Sequence, residues 1–139
     1  METPRPLVAV LDDEPEMLKA VRRLLIGCGY AVIEYVAGKD FLAALGQRPL
    51  ACLLLDLHMD HVSGFDVLEA IQSRQIRLPV IVITAHDEPG TAERVHALGA
   101  RGYLRKPVDR NALIAAIEAV LARPSQTAAP AGNDTQRKA

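Results

Sequence analysis

Cysteine, net charge and long apolar runs are all scarce in this 139-residue sequence. Its two cysteines, Cys28 and Cys52, stand among apolar neighbours with no second pair nearby. A disulfide framework or a zinc site needs more cysteine or histidine at regular spacing, so the sequence argues against both. We interpret the two cysteines as small buried hydrophobic residues.

Charge of either sign is not in excess, with 16 Lys and Arg against 17 Asp and Glu. This balance gives no reason to expect a nucleic acid or an anionic membrane as a partner. No apolar run approaches the roughly 18 residues that span a bilayer, and residues 1–6 lack the charged-then-apolar pattern of a signal peptide. We therefore expect a cytoplasmic protein.

Half of the residues are hydrophobic, which suits one domain with a core of its own. Five short apolar runs predict strands. They cover residues 7–11, 31–35, 51–55, 80–83 and 103–104. Segments with helical spacing separate these runs and follow the last one, as at Leu113, Ile117 and Val120, so the predicted order is (βα)5.

The first, third and fourth runs consist almost entirely of Val, Ile and Leu without alternation. This pattern is typical of parallel strands covered by helices on both faces, and right-handed crossovers then produce a doubly wound α/β sheet. We predict this domain over residues 6–122. Apolar periodicity stops after it, so we predict a flexible Ala/Pro-rich tail over residues 123–139.

Polar residues cluster where the predicted strands end, which is where doubly wound sheets bind ligands. They are Asp12, Asp13, Glu14, Asp56, Thr84 and Lys106. Two like charges about 4 Å apart repel by about 4 kcal/mol at an effective dielectric constant of about 20. The aspartates therefore need a cation, and the oxygen ligands suit Mg²⁺ rather than zinc.

A metal-bound carboxylate beside a lysine can also accept a phosphoryl group, because both cations neutralise charge on the transferring oxygens. Asp56 would attack, Lys106 would supply a point charge and Thr84 a hydrogen-bond donor. Ala85 leaves room next to Thr84. Taken singly, these residues also have ordinary structural interpretations: Asp12 and Asp13 could cap a helix that begins near Pro15.

Five segments together resemble the receiver family of bacterial two-component response regulators over about residues 6–122. The segments are Val-Leu-Asp-Asp-Glu-Pro at 10–15, Leu-Leu-Leu-Asp-Leu-His-Met at 53–59, Ser-Gly at 63–64, Val-Ile-Thr-Ala at 82–85 and Gly-Ala-Arg-Gly-Tyr-Leu-Arg-Lys-Pro at 99–107. Each is weak evidence alone, but all five occur in order at the predicted strand ends. The resemblance implies a flavodoxin-like fold with strand order 2-1-3-4-5.

The resemblance also implies residue roles. Asp56 is expected to accept the phosphoryl group. Asp13 is expected to bind Mg²⁺ directly, Asp12 largely through water, and the backbone carbonyl of His58 to complete the protein ligands.

Three further roles follow from the resemblance. Thr84 and Lys106 are expected to bind phosphoryl oxygens, and Tyr103 matches an aromatic residue whose rotation accompanies activation. The Lys106–Pro107 peptide bond is expected to be cis.

The expected partners are a sensor histidine kinase or a histidine phosphotransfer protein, and a downstream protein that contacts the fourth helix, fifth strand and fifth helix. A phosphorylation-dependent homodimer is a further possibility. Few residues follow the fifth helix, so we expect a single-domain regulator; the alternative is the receiver portion of a longer one. Catalysis is expected to extend only to self-phosphorylation from a donor and autodephosphorylation.

Asp60 departs from the family pattern, which usually has proline directly after the methionine of this loop. The loop thereby loses a fixed φ angle and gains a charge. His58 and His86 follow Asp56 and Thr84 by two residues each. We interpret all four histidines, which also include His61 and His96, mostly as solvated loop or helix residues, because no pair has ligand spacing within a helix. We hypothesise that His58 and His86 flank the phosphoryl group and tune the access of water.

Two other classes remain as rivals. A phosphatase of the haloacid-dehalogenase type also uses an aspartate at a strand end with Mg²⁺, but it requires Asp-x-Asp after the first strand. A flavodoxin-like nucleotide-binding module requires a Gly-rich or Ser/Thr-rich phosphate loop at that place, where this sequence has acids.

Overall fold

Strands and helices alternate strictly along the chain in the computed structural model, which describes residues 5–122. The strands are β1 (Leu7–Leu11), β2 (Ala31–Tyr35), β3 (Cys52–Asp56), β4 (Val80–Thr84) and β5 (Gly102–Arg105). The helices are α1 (Pro15–Gly27), α2 (Gly38–Ala44), α3 (Gly64–Ser73), α4 (Thr91–Ala97) and α5 (Arg110–Leu121). The tail predicted for residues 123–139 lies outside the described residues, and the domain boundaries stay a prediction.

All five strands form one parallel sheet in the order β2-β1-β3-β4-β5. The predicted (βα)5 fold and its strand order are confirmed. The order reverses between β1 and β3, so the carboxyl ends of these two strands meet at the switch point where doubly wound sheets bind ligands.

Alternate residues of each central strand pack against different helical layers. On one face, Val8 and Val10 of β1 join the buried side chains of α1 and α5. On the other face, Ala9 and Leu11 join those of α2, α3 and α4. Each fully buried aliphatic side chain contributes about 1.5–3 kcal/mol, so both layers hold the strand ends rigidly in place.

At their carboxyl ends, β3, β4 and β5 each extend one residue beyond their apolar runs. Asp56 is the last residue of β3 and pairs with Ile83, while Thr84 is the last residue of β4 and pairs with Arg105. The polarity of these side chains placed them just after the strands in the sequence prediction. Backbone pairing continues through them because the ladder depends on N–H and C=O groups, and both residues are therefore held by the sheet itself.

The two cysteines differ in burial. Cys52 is buried in β3, and burial raises the pKa of its thiol to about 12, so it is an unreactive core residue. Cys28 is exposed at the carboxyl end of α1. The prediction that it is buried was wrong, because the apolar stripe of the helix ends at Leu25, one turn earlier.

The first turn of α3 lies directly against the end of β3. Ser63 caps this helix by accepting a hydrogen bond from the backbone N–H of Asp66, whose carboxylate accepts one from the Ser63 N–H in return. A Cβ atom at Gly64 would lie 2.6 Å from the carbonyl oxygen of Asp56. Only glycine permits this approach, which lets the start of α3 pack directly against the backbone of Asp56.

None of the helices within residues 5–122 is long and apolar enough to cross a membrane.

Candidate functional site

Three aspartates meet at the carboxyl ends of β1 and β3. Carboxylate oxygens of Asp12, Asp13 and Asp56 all lie within 4.8 Å of one another. Asp12 and Asp56 are 3% and 4% exposed, whereas Asp13 faces solvent. The structure therefore brings together the carboxylates that the sequence predicted as a metal site.

Backbone contacts fix the orientation of the buried carboxylates. The backbone N–H of Glu14 donates to Asp12 Oδ1 at 2.9 Å, and the N–H of Asp12 donates to the Tyr35 carbonyl at 3.1 Å. The His58 N–H donates to Asp56 Oδ1 at 3.4 Å. These hydrogen bonds hold the carboxylates of Asp12 and Asp56 at the end of the sheet.

Lys106 reaches this cluster from the end of β5. Its Nζ lies 2.9 Å from Asp12 Oδ2, 2.7 Å from Glu14 Oε1 and 3.6 Å from Asp56 Oδ1. The Lys106 N–H donates to the Thr84 carbonyl at 2.8 Å, and the peptide bond to Pro107 is cis, as expected. The lysine is thus anchored at its backbone and paired at its ammonium group.

The electrostatics of the site reflect the crowding of like charges. Burial, together with the charge of Asp12, raises the pKa of Asp56 to about 6, although Lys106 acts in the opposite direction. Burial alone would lower the pKa of Lys106, but its hydrogen bonds to Glu14 and Asp12 outweigh burial and raise it. The hydrogen bond from Lys106 lowers the pKa of the exposed Glu14 carboxyl. One lysine does not fully compensate the buried carboxylates.

The donor set suits a hard divalent cation. It offers carboxylate oxygens on one open edge, and the exposure of Asp13 suits an ion such as Mg²⁺, which usually keeps several waters. Among the described residues, no other grouping of three His, Cys, Asp or Glu side chains has this proximity. The assignment of the His58 carbonyl as a ligand stays a prediction.

Thr84 is fully buried on the neighbouring strand, with its hydroxyl surrounded by hydrogen-bond partners. The His86 N–H donates to Thr84 Oγ1 at 3.0 Å, the His86 carbonyl lies 3.4 Å from it, and His58 Nδ1 lies 3.3 Å from it. The rings of the two histidines pack against each other with centroids 4.4 Å apart and planes inclined by 56°. Both histidines therefore lie beside Asp56 and Thr84, and the hypothesis that they flank a phosphoryl group stays a prediction.

Tyr103 is tied to the β4–α4 loop. Its hydroxyl donates to Asp87 Oδ1 at 2.7 Å, and Arg105 Nη1 lies 3.4 Å from Asp87 Oδ2. Burial of the phenol and its bond to Asp87 raise the pKa of Tyr103 to about 12. The tyrosine is half-buried on β5, and its predicted rotation on activation stays a prediction.

Three contacts were missed by sequence reasoning. The pairing of Lys106 with Glu14 and the bond from Tyr103 to Asp87 join residues far apart in sequence, and no local pattern signals either. The close approach of Gly64 to Asp56 had a signal: a Ser-Gly pair followed by Asp66 has the form of a helix cap over a tight contact. Asp60 is exposed in the β3–α3 loop.

Comparison with known proteins agrees with this geometry. A family model described as the response regulator receiver domain matches residues 8–118. The transcriptional regulatory protein GlrR of Escherichia coli (strain K12) is 33% identical over 94% of this chain and 28% of its own length. FixJ of Azorhizobium caulinodans is 33% identical over 86% of this chain and 56% of its own length. The chain therefore spans at most about half the length of these curated relatives.

Solved structures share the fold over most of the chain. The signal receiver domain of a putative LuxO repressor from Vibrio parahaemolyticus has a TM-score of 0.84 and 25% identity, covering 90% of this chain and 96% of that one. Chemotaxis protein CheY4 of Vibrio cholerae has a TM-score of 0.78 and 26% identity, covering 85% and 100%.

Proposed function

Because the chain belongs to the response regulator receiver domain family, we propose that its Asp56 accepts a phosphoryl group and that this modification switches its contacts with other proteins. The observation that carries the proposal is the setting of Asp56. Its carboxylate is buried at the sheet switch point, beside two further aspartates and 3.6 Å from the Lys106 ammonium.

The donor would be a sensor histidine kinase or a histidine phosphotransfer protein. In the transfer, an Asp56 carboxylate oxygen attacks phosphorus as the bond from phosphorus to the donor imidazole nitrogen breaks, and that nitrogen keeps the electron pair. The Lys106 ammonium would then pair with a phosphoryl oxygen, and the Thr84 hydroxyl would donate a hydrogen bond to another. The Lys106 ammonium lies 3.6 Å from Asp56 Oδ1, and Thr84 ends β4, the strand that pairs with β3.

Asp12, Asp13 and Asp56, with the His58 backbone carbonyl, are the groups that would hold Mg²⁺. When bound, the ion supplies charge neutralisation at the transferring oxygens and compensates the three carboxylates. The residues themselves do the rest: Asp12 keeps Lys106 within reach, and the buried wall of the sheet excludes water from one side of Asp56.

Phosphorylation adds about −1.5 to −2 charge at this edge. We propose that Thr84 and Lys106 turn to contact the new oxygens and that Tyr103 leaves Asp87 as the β4–α4 loop follows Thr84. The surface formed by α4, β5 and α5 would then present a different shape to a downstream protein or to a second copy of this chain. A full shift from 1:99 to 99:1 requires about 5.5 kcal/mol of differential stabilisation.

Two forms of output fit the chain. It acts as a single-domain regulator through protein contacts, or it is the receiver portion of a longer regulator, as in the longer relatives GlrR and FixJ. Both forms use the same phosphorylation site.

The proposal is tested by intact mass spectrometry after incubation with Mg²⁺ and acetyl phosphate. We expect the wild type to gain about 80 Da, the mass of one phosphoryl group, and Asp56→Asn to gain none. Asp60→Asn is the matched control, because it removes an exposed carboxylate from the adjoining loop and should still be phosphorylated.

A wild type that binds Mg²⁺ but gains no mass from acetyl phosphate or from a phosphorylated kinase would contradict the proposal. Equal phosphorylation of Asp56→Asn would move the acceptor elsewhere.

A further inference from the structure

The hydroxyl of Thr84 is already fully engaged in the unphosphorylated protein. A threonine hydroxyl carries one hydrogen and accepts through its lone pairs. Here it accepts from the His86 N–H at 3.0 Å, and the ring nitrogen Nδ1 of His58 lies 3.3 Å away, nearer than the His86 carbonyl at 3.4 Å. Thr84 has no solvent exposure, so water does not replace these partners.

The imidazole of His58 is held over Thr84 from two directions. Its backbone is tied to the acceptor, since the His58 N–H donates to Asp56 Oδ1 at 3.4 Å. Its ring packs against the ring of His86 with centroids 4.4 Å apart and planes inclined by 56°. These contacts place the ring next to the hydroxyl, although His58 and His86 are themselves exposed residues.

We propose that His58 is a positioning residue that holds the Thr84 hydroxyl in the resting protein and must release it before the hydroxyl can donate to a phosphoryl oxygen on Asp56. His86 supports this hold by keeping the His58 ring in place. This inference rests on the proposed function. Activation would require the contact between the Thr84 hydroxyl and Nδ1 of His58 to break, which costs free energy.

This hold differs from a simple shield against water. A shield acts by bulk and would operate whatever residue occupies position 84. The hold acts through one hydrogen bond and requires a hydroxyl there. The two roles are therefore separable by combining substitutions at positions 58 and 84.

The experiment measures the apparent Kd of beryllofluoride, a phosphoryl mimic, by titration calorimetry at saturating Mg²⁺. In His58→Phe the ring still packs on His86 and the backbone at position 58 is unchanged, but Nδ1 is lost. We expect beryllofluoride to bind roughly 2- to 10-fold more tightly, the range for one net hydrogen bond. His96→Phe, which changes an exposed histidine on α4, should bind like the wild type.

The decisive comparison repeats His58→Phe with Thr84→Ser and with Thr84→Val. The tighter binding of beryllofluoride caused by His58→Phe should persist in the Thr84→Ser background, which keeps a hydroxyl. It should disappear in the Thr84→Val background, which has none. His86→Ala should give a smaller gain in the same direction, and it tests the hold independently if a Thr84 variant folds poorly.

Equal affinity in His58→Phe and wild type overturns the hold, as does an equal gain with Thr84→Ser and Thr84→Val. If the wild type itself binds no beryllofluoride although Mg²⁺ binds, the proposed function fails and the hold fails with it. If the wild type binds beryllofluoride but His58→Phe does not tighten the binding, the hold is overturned and the proposed function stands.

Discussion

The two sides of the site are built differently. The acid side consists of charged groups on or directly after the strand ends: Asp12, Asp13, Glu14, Asp56 and Lys106. The hydroxyl side is held mainly by hydrogen bonds around the β4–α4 loop. It consists of His86 and Asp87 in that loop and of the residues that contact them: His58, Thr84, Tyr103 and Arg105. Lys106 is 13% exposed within its ion pairs, whereas Arg105 is 70% exposed in its pair with Asp87.

This difference separates chemistry from response. Charges at the ends of rigid strands are preorganised for the proposed phosphoryl transfer and do not need to move far. Loop contacts of modest strength can be exchanged for new ones when a phosphoryl group arrives, because each is worth about 1 kcal/mol. In the proposed function, the acid side therefore determines whether phosphorylation occurs, and the hydroxyl side determines how much the conformation changes in response.

The largest expected effect comes from the lysine on the acid side. Lys106→Ala leaves buried Asp12 and Asp56 without their cation, which should cost about 3–5 kcal/mol in the free energy of unfolding. Urea denaturation in EDTA measures this loss. Arg105→Ala is the control from the hydroxyl side, since an exposed ion pair contributes only about 0–1 kcal/mol. Similar losses in both variants would erase the distinction between the two sides.

A second effect concerns pH and Asp56. Its pKa of about 6 in the folded protein lies above that of the unfolded chain, so the folded state binds the extra proton. Stability in EDTA should therefore fall as pH rises from about 4 to about 6, by on the order of 2–3 kcal/mol. Asp56→Asn should lack this decline and be the more stable protein at pH 7.

Denaturation series at several pH values measure this difference. A wild type and an Asp56→Asn variant with parallel pH profiles would contradict the account of buried like charges. Added Mg²⁺ should reduce the difference in the free energy of unfolding between the wild type and Asp56→Asn at pH 7, because the cation compensates the same carboxylates.

The extent to which the sequence predicted the site follows the same division. The bounds of β1 and β2 match their apolar runs, and the acid side followed from the rule that parallel strands end at one edge. The strand order came from the family resemblance. Side-chain contacts such as Tyr103 to Asp87 depend on rotamers and loop conformation, which apolar periodicity does not determine. The exposure of Cys28 was missed for a similar reason, since it depends on where α1 ends.

The smallest expected effect lies on the hydroxyl side. Asp87→Asn removes a charged acceptor from Tyr103, so the pKa of this phenol should fall from about 12 partway towards its ordinary 10; burial, the larger cause, remains. Phenolate absorbance during alkaline titration measures the change. Tyr103→Phe identifies its contribution among the three tyrosines. An unchanged titration in Asp87→Asn would show that the bond does not form in solution.

The most direct test of the central claim locates the phosphoryl group. Wild-type protein is phosphorylated with acetyl phosphate and Mg²⁺ and then treated with sodium borohydride, which reduces an aspartyl phosphate to homoserine. Peptide mass spectrometry should find homoserine at position 56 alone. Homoserine at position 12 or 13, with Asp56 intact, would contradict the assignment of Asp56 as the acceptor and of the other two aspartates as cation ligands.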